Sequence, residues 1–255
     1  MINITYLLNQ INIKKDRLDK LRPLSVWQVK NLKAFIDVDY TYNSNAIEGN
    51  TLTYSETKLV LNEGLTIGGK SLNEHLEVIN HKEAIDFIEE LSSDINFTLK
   101  DIKDIHSIIL RGIDNPNAGR FRDIEVGVRK SSGEIQKFCS PLKIDENMRD
   151  FILWLEENRL DIPIKASLAH LKFVSIHPFT DGNGRTARLL MNLILLQNQY
   201  PITIIELKNR VEYIKAIESY QESGDETLFI NFVLKGLNSS LDKILDIVEN
   251  NIKIL

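Results

Sequence analysis

The sequence predicts a mainly α-helical fold that carries one β-hairpin. Helix-start signals recur along the chain, apolar residues follow them at helical spacing, and a single segment alternates in the manner of a strand. With 255 residues, 43% of them hydrophobic, the chain can bury a substantial core. We therefore expect one compact body with an N-terminal helical extension.

Three polar motifs predict helix N-termini through the capping-box pattern, in which two side chains satisfy each other's backbone N–H groups. Two further helices are expected over 165–176 and 186–199, and the second is apolar nearly all round. Such a helix is typical of the centre of a domain. The capping pairs are Thr53 with Glu56, Ser71 with Glu74 and, as a variant, Thr98 with Asp101.

The hairpin is predicted from alternation over 124–128, a Ser-Ser-Gly turn at 131–133 and a second strand over 134–138. An isolated hairpin is marginal in water, so this one must pack against the helices. At the C-terminal end, apolar residues share one helical face, and two interpretations stay open for it: packing onto the body or a dimer contact. These residues are Leu237, Leu241, Ile244, Leu245, Val248 and Ile252.

Composition excludes several classes of function. A net charge of −5 and a pI near 5.6 leave no broad basic field, so we expect no nucleic-acid partner. No apolar run approaches the roughly 20 residues that span a bilayer, so we expect no membrane partner. The N-terminus does not have the pattern of a secretory signal, which favours a cytoplasmic location. Cys139 is the one cysteine and is interpreted as structural.

The segment 177–188, HPFTDGNGRTAR, carries the candidate chemistry. Pro178 disfavours helical geometry at His177, so one helix ends there and a loop begins. Gly182 and Gly184 permit left-handed backbone angles, which lets successive N–H groups converge at the start of the next helix. That arrangement predicts a phosphate-binding site.

Charged side chains in the same segment suit a polyanion. Arg185 and Arg188 are three residues apart on the first turn, so both can reach one ligand. Asp181 makes sense there if a divalent cation such as Mg²⁺ lies between it and phosphates. His177, with an ordinary pKa near 6.5, can take a proton from a hydroxyl. A zinc pair of His170 and His177 is the alternative, but it has no third ligand at a usual spacing.

The segment matches H-x-F-x-[D/E]-G-N-G-R-x-x-R at every specified position, and the chain therefore resembles the Fic (Fido) domain family. The resemblance implies the Fic/Fido helical fold and a transferase that moves AMP from ATP to a Ser, Thr or Tyr hydroxyl of a protein, releasing pyrophosphate. The implied cofactors are ATP as substrate and Mg²⁺, with Mn²⁺ as an alternative. By position, the implied roles are general base for His177, loop anchor for Phe179, metal ligand for Asp181, phosphate cradle for Gly182, Asn183 and Gly184, and outer-phosphate binding for Arg185 and Arg188.

The resemblance also implies a layout. The Fido core would span 100–236, with a flap at about 119–140 along which a target protein docks by strand addition. The match at Gly119–Arg122 is loose, so no flap residue is given a catalytic role. The N-terminal region 1–99 would carry the inhibitory motif, and a C-terminal helix would occupy 237–255. A homodimer and self-modification remain open as further partners.

Upstream, Ser44, Glu48 and Gly49 resemble the family's inhibitory motif, [S/T]-x-x-x-E-[G/N], at 44–49. If Ser44 and Glu48 share a helical face, Glu48 can pair with Arg188 and withdraw it from the γ-phosphate. The plainer interpretation is a helix end with Glu48 in solvent and Gly49 as its cap.

Other activities remain open at the same site. Glu48 could instead align a water that removes AMP from a modified target, which would make the protein a phosphodiesterase. Relatives in the family also transfer UMP, phosphocholine or phosphate. A nucleotide-sensing regulatory module or a toxin–antitoxin component is the alternative outside catalysis.

Overall fold

The computed structural model describes residues 3–94 and 98–250. Within these ranges the chain forms ten α-helices and one two-stranded sheet, which confirms the predicted mainly helical fold with one hairpin. Their bounds are α1 Ile4–Lys20, α2 Val26–Ile47, α3 Tyr54–Glu63, α4 Leu72–Leu91, α5 Leu99–Leu110, β1 Gly127–Arg129, β2 Ile135–Lys137, α6 Ile144–Glu157, α7 Ile162–Ile176, α8 Asn183–Gln197, α9 Arg210–Ser223 and α10 Thr227–Glu249.

The three predicted capping boxes are confirmed. In each, the side chain of the capping residue accepts the backbone N–H three residues on, and the acidic side chain at that position accepts the N–H of the cap. They begin α3, α4 and α5. These local bonds satisfy N–H groups that a helix start otherwise leaves unpaired.

Helix α8 lies at the centre of the molecule, packed against α7, α4 and α5. The prediction that it begins at residue 186 is wrong, because Gly182 is its N-cap and the helix begins at Asn183. The left-handed conformation of Gly182, with φ +72°, turns the chain sharply enough for helical bonding to start at once. Gly184 and Arg185 therefore belong to the first turn of a buried helix.

Helix α10 runs without a break through position 236 and packs against α1. Leu237, Leu241, Ile244, Leu245 and Val248 are buried in this packing, whereas Ile252 lies outside the described residues. The apolar face is thus used within the chain at the five described positions. Among the described residues, no helix combines the length and apolar character needed to cross a membrane.

The hairpin is shorter than predicted. Strand β1 pairs antiparallel with β2, with Gly127 opposite Lys137 and Arg129 opposite Ile135. Residues 124–126 do not extend the strand, and the carbonyl of Ile124 accepts a hydrogen bond from Arg122 Nη1 at 2.8 Å. That carbonyl is therefore bonded to a side chain, and the pairing with β2 begins only at Gly127.

Candidate functional site

His177 lies directly after α7 in a left-handed conformation, with φ +53°. Its Nδ1 is 3.3 Å from the carbonyl oxygen of Val174, and a carbonyl can only accept. Neutral His177 therefore carries its proton on Nδ1 and leaves the Nε2 lone pair free. The ring stacks on Phe138, which follows β2, with centroids 4.0 Å apart.

The ordinary pKa expected for His177 is wrong. Burial lowers the pKa of His177 to about 4, and the nearby Arg122 guanidinium acts in the same direction. The bond to Val174 and the charge of Glu48 oppose this shift without cancelling it. At pH 7 the imidazole is consequently neutral and able to accept a proton.

Phe179 holds the loop in the core. Its ring is fully buried, packed against Phe121 and Phe173 and stacked on His106. Asn183 braces the same residue, because its Oδ1 accepts the Phe179 N–H at 3.0 Å and its Nδ2 donates to the Phe179 carbonyl at 2.8 Å. The amide side chain of Asn183 is thereby used inside the loop. Only its backbone N–H is left to face a ligand.

The predicted anion cradle, the backbone of Gly182, Asn183 and Gly184, lies at the start of α8. No side chain caps this helix, so N–H groups of its first turn keep their capacity to bind a negative charge. A Cβ at Gly184 would clash with the Glu48 carboxylate. The glycine therefore lets a carboxylate approach the backbone closely, and a phosphate could do the same.

Arg188 is buried and fully engaged by partners. Nη2 donates to Glu48 Oε1 and to the Ser44 carbonyl, both at 2.8 Å, and Nε donates to Ser44 Oγ at 3.0 Å. Nη1 lies 3.3 Å from the Tyr213 hydroxyl. Burial alone would lower the pKa of Arg188, but Glu48 and Tyr213 raise it, so the guanidinium stays charged. The pair anticipated between Glu48 and Arg188 is present.

Arg185 and Arg188 have different partners in this structure, and their expected joint binding of one anion stays a prediction. Its Nη1 lies 3.2 Å from Oε1 of Glu77 on α4, and its Nη2 lies 3.4 Å from Oδ2 of Asp181. Each arginine of the segment therefore has its own carboxylate partner. The reason is that α4 and α2 each bring an acidic side chain to the start of α8.

Glu48 follows the last residue of α2, and Gly49 next to it has φ +106°. The side chain of Glu48 is 38% exposed, as the solvent interpretation expects, but its carboxylate is also bonded to Arg188. Glu48, Gly184 and His177 line one cleft of about 380 Å³, beside the hairpin and α9. Ligand-binding clefts usually measure roughly 300–1,000 Å³.

The side chains present fit a magnesium ion better than a zinc ion. Asp181 is 69% exposed next to the cradle, and Mg²⁺ is commonly held by one or two carboxylates together with substrate phosphates. Across 3–94 and 98–250, no group of three or more His, Cys, Asp and Glu side chains could hold a metal. His170 bonds to the Tyr213 hydroxyl at 2.8 Å.

Comparison with known proteins places the chain in a family. Residues 96–195 match the Fic/DOC family. The structure of Caenorhabditis elegans Fic-1 (residues 134–508 of that protein) has 32% identity and a TM-score of 0.83, covering 94% of this chain and 71% of that one. This chain belongs to the Fic/DOC family. A Fic-domain signaling protein from Bacteroides thetaiotaomicron aligns with TM-score 0.88 and 28% identity, covering 94% and 97% of the two chains.

Curated relatives of this Fic chain are longer. The protein adenylyltransferase fic-1 of C. elegans is 38% identical over 210 residues, which is 80% of this chain and 40% of that protein. The protein adenylyltransferase Fic of Nematostella vectensis is 35% identical over 241 residues, or 92% of this chain. The chain spans 40 to 55% of the length of these relatives.

The Fic signature does not contain every residue that shapes the site. Arg122 was missed as a site residue. Its Nε donates to the His177 carbonyl at 2.8 Å, and its Nη2 donates to the Cys139 carbonyl at 2.7 Å. These bonds connect the segments on both sides of the hairpin to His177. Glu77, Tyr213 and His106 were missed as well. The loose match at Gly119–Arg122 already contained Arg122 without giving it a role, and no local pattern marks the others.

Proposed function

We propose that this chain is a protein adenylyltransferase, which transfers AMP from ATP to a Ser, Thr or Tyr hydroxyl of a target protein. The observation that carries the proposal is the assembly of the complete signature at one helix start, with the free Nε2 of His177 in the same cleft as the cradle. The names of the curated relatives, protein adenylyltransferases, support the same activity.

In the proposed reaction, His177 Nε2 takes the proton of the acceptor hydroxyl. The hydroxyl oxygen forms a bond to the α-phosphorus of ATP, the bond from that phosphorus to the bridging oxygen of the β-phosphate breaks, and pyrophosphate leaves. The turn at Gly182, the N–H groups of Asn183 and Gly184 and the positive end of α8 would hold the phosphates. Arg185 and Arg188 would bind the outer phosphates once released from their carboxylates.

Asp181 would hold Mg²⁺, or Mn²⁺ in its place, on the exposed side of the loop. When bound, the ion would neutralise phosphate charge and orient the triphosphate. Its carboxylate also accepts the Gly182 N–H at 2.6 Å, so Asp181 stabilises the turn that forms the cradle.

The pair of Glu48 and Arg188 would keep the activity low. With Arg188 held by Glu48 and Ser44, ATP could bind but would lack the contact that fixes its outer phosphate. Phosphoryl-type transfer depends mainly on positioning, so a misaligned α-phosphorus would react slowly. Ser44 and Gly49 would support this function, Ser44 by bonding to Arg188 and Gly49 by ending α2 beside it.

Mass spectrometry tests the reaction type. The Glu48→Gly protein is incubated with ATP and Mg²⁺, alone and with a cell lysate, and the chain and the lysate proteins are analysed. We expect an adenylate on the chain or on a lysate protein, at a hydroxyl side chain, and none with the Glu48→Gly/His177→Ala protein. A phosphate or uridylate adduct, or no adduct on any protein, would contradict AMP transfer.

A second candidate is the reverse reaction, release of AMP from a modified protein. It is favoured by the position of the Glu48 carboxylate, which is partly exposed and shares the cleft with His177, where it could hold an attacking water. Wild-type protein would be offered the adenylylated product of the Glu48→Gly reaction. Release of AMP by the wild type and not by Glu48→Gly would favour the phosphodiesterase; a stable adduct would exclude it.

The hairpin is the proposed docking site for the target protein. Every residue of β1 is exposed, and the sheet has only two strands, so its edges can accept an extended segment. Phe138 stacks on His177, which would place an acceptor bound along the hairpin near the base.

A further inference from the structure

His106 is a buried histidine on α5 that joins two separate parts of the site. Its Nδ1 lies 2.9 Å from the backbone N of Gly119, where the chain turns toward the hairpin. Its Nε2 lies 3.0 Å from the backbone carbonyl oxygen of Asp181. The side chain is fully buried, and both ring nitrogens are bonded to backbone.

The two backbone partners fix the tautomer of His106. The N–H of Gly119 can only donate, so Nδ1 must be the acceptor; the carbonyl of Asp181 can only accept, so Nε2 must carry the proton. Burial lowers the pKa of His106 to about 4, with Arg185 acting in the same direction, and the imidazole is neutral at pH 7. A single neutral tautomer therefore satisfies both contacts.

The ring of His106 also fixes the loop by contact. It stacks on Phe179 with centroids 3.5 Å apart and planes within 2° of parallel. A Cβ at Gly182 would lie 3.2 Å from two of the ring atoms, Cδ2 and Nε2. The imidazole thus supports the loop on both sides of Asp181, through the stacked Phe179 and the close Gly182.

We propose that His106 is a positioning residue that sets the backbone of the anion cradle and links it to the base of the hairpin. This inference rests on the proposed function, since it concerns how well that site binds MgATP. The Nε2–H bond to the Asp181 carbonyl holds the turn between Phe179 and Gly182 in its binding conformation before nucleotide arrives. Binding then does not have to order the loop, which strengthens affinity.

A set of variants at position 106, all in the Glu48→Gly protein, tests the inference by calorimetry with MgATP. His106→Phe keeps an aromatic ring but removes both hydrogen bonds. His106→Gln can place an N–H near the position of Nε2, and His106→Asn can place an acceptor near that of Nδ1. Gln and Asn both lose the stacked ring and each can keep one of the two bonds, so the difference between them compares the Asp181 bond with the Gly119 bond.

We expect MgATP affinity to fall at least about 10-fold in His106→Phe and His106→Asn and to stay within about 3-fold in His106→Gln. His75→Phe is the matched control, because His75 is also buried and bonds to two backbone groups, Ile67 N–H and the Ser71 carbonyl, away from the cradle. That variant should lose stability and keep its affinity.

Equal affinity in the Gln and Asn variants, or unchanged affinity in the Phe variant, would overturn the inference. If the Phe variant does not fold, the comparison of Gln with Asn still decides. Failure of the proposed function is a separate result: the Glu48→Gly parent would then bind nucleotide without transferring AMP, whatever residue stands at position 106.

Discussion

The surroundings of the Arg188 side chain explain how the proposed regulation by charge would work. Its side chain is 1% exposed, and a buried cation that loses its carboxylate partner is destabilised by several kcal/mol. Glu48 is more exposed, so its carboxylate stays partly hydrated when it is bound to Arg188, and little hydration is gained or lost when the pair forms or breaks. If Glu48 moved away, the buried guanidinium of Arg188 would be left without a carboxylate partner, and a phosphate could bind to it instead. In the proposed mechanism, the Glu48 carboxylate and the outer phosphate would therefore compete for the guanidinium of Arg188.

The protonation of His177 depends on its burial in the site. Its imidazole should titrate with a midpoint near pH 4 in wild-type protein, measured by side-chain NMR and assigned by the signal that disappears in His177→Ala. The unfolded chain binds this proton more readily than the folded chain does. Protonation therefore lowers the free energy of unfolding as the pH drops from about 6.5 toward 4, and the loss is about 2 kcal/mol at pH 5. A midpoint near 6.5 would contradict the burial that lowers this pKa.

The signature residues could be predicted from the sequence because they lie within twelve positions and each residue type suits one task. Their partners could not. Glu77, Tyr213 and His106 reach the segment from α4, α9 and α5, and those contacts depend on how the helices pack. The ordinary pKa assumed for His177 failed for the same reason, since burial is a property of the assembled fold.

At the scale of elements, the hairpin depends on α9 for its position. Strands of three residues are too short to be stable alone, and the turn is bonded to α9 through Glu218 Oε1, which accepts the Ser131 N–H at 2.8 Å. Lys130 pairs with Glu222 beside it. The alternation in the sequence predicted a hairpin but overestimated the length of its strands. The Ile124 carbonyl accepts a hydrogen bond from Arg122 and is not part of the strand pairing.

Glu218→Ala should loosen the hairpin while leaving the helices intact. Loss of a bond worth about 1 kcal/mol corresponds to roughly 5-fold faster amide exchange in β1 and β2, measured by hydrogen–deuterium exchange. Glu222→Ala is the matched control and should change exchange less than about 2-fold, since the Glu222 side chain that pairs with Lys130 is 57% exposed. Unchanged exchange in Glu218→Ala would show that the turn bond does not hold the hairpin.

At the scale of the whole molecule, the N-terminal region is part of the same body as the signature. Helix α1 packs along α10, and α2 packs against α4 and α8, so the end of α2 is held beside Arg188. Arg210 Nε donates to the Ile47 carbonyl at 2.7 Å, and Asn43 Oδ1 accepts the Leu207 N–H at 2.8 Å. Sequence periodicity could predict these helices, but not which helix would carry Glu48 to the start of α8.

We propose that Glu48, by holding Arg188, is the main restraint on AMP transfer. The most direct measurement is the rate at which label from ATP carrying a labelled α-phosphate enters protein, compared between wild type, Glu48→Gly and Glu48→Gly/His177→Ala in the same lysate. We predict a rate about 5- to 150-fold higher in Glu48→Gly than in wild type, and no transfer in the double variant. This range corresponds to a coupling free energy of about 1–3 kcal/mol between the Glu48–Arg188 pair and productive ATP binding. Equal rates in wild type and Glu48→Gly, with the double variant inactive, would contradict the claim.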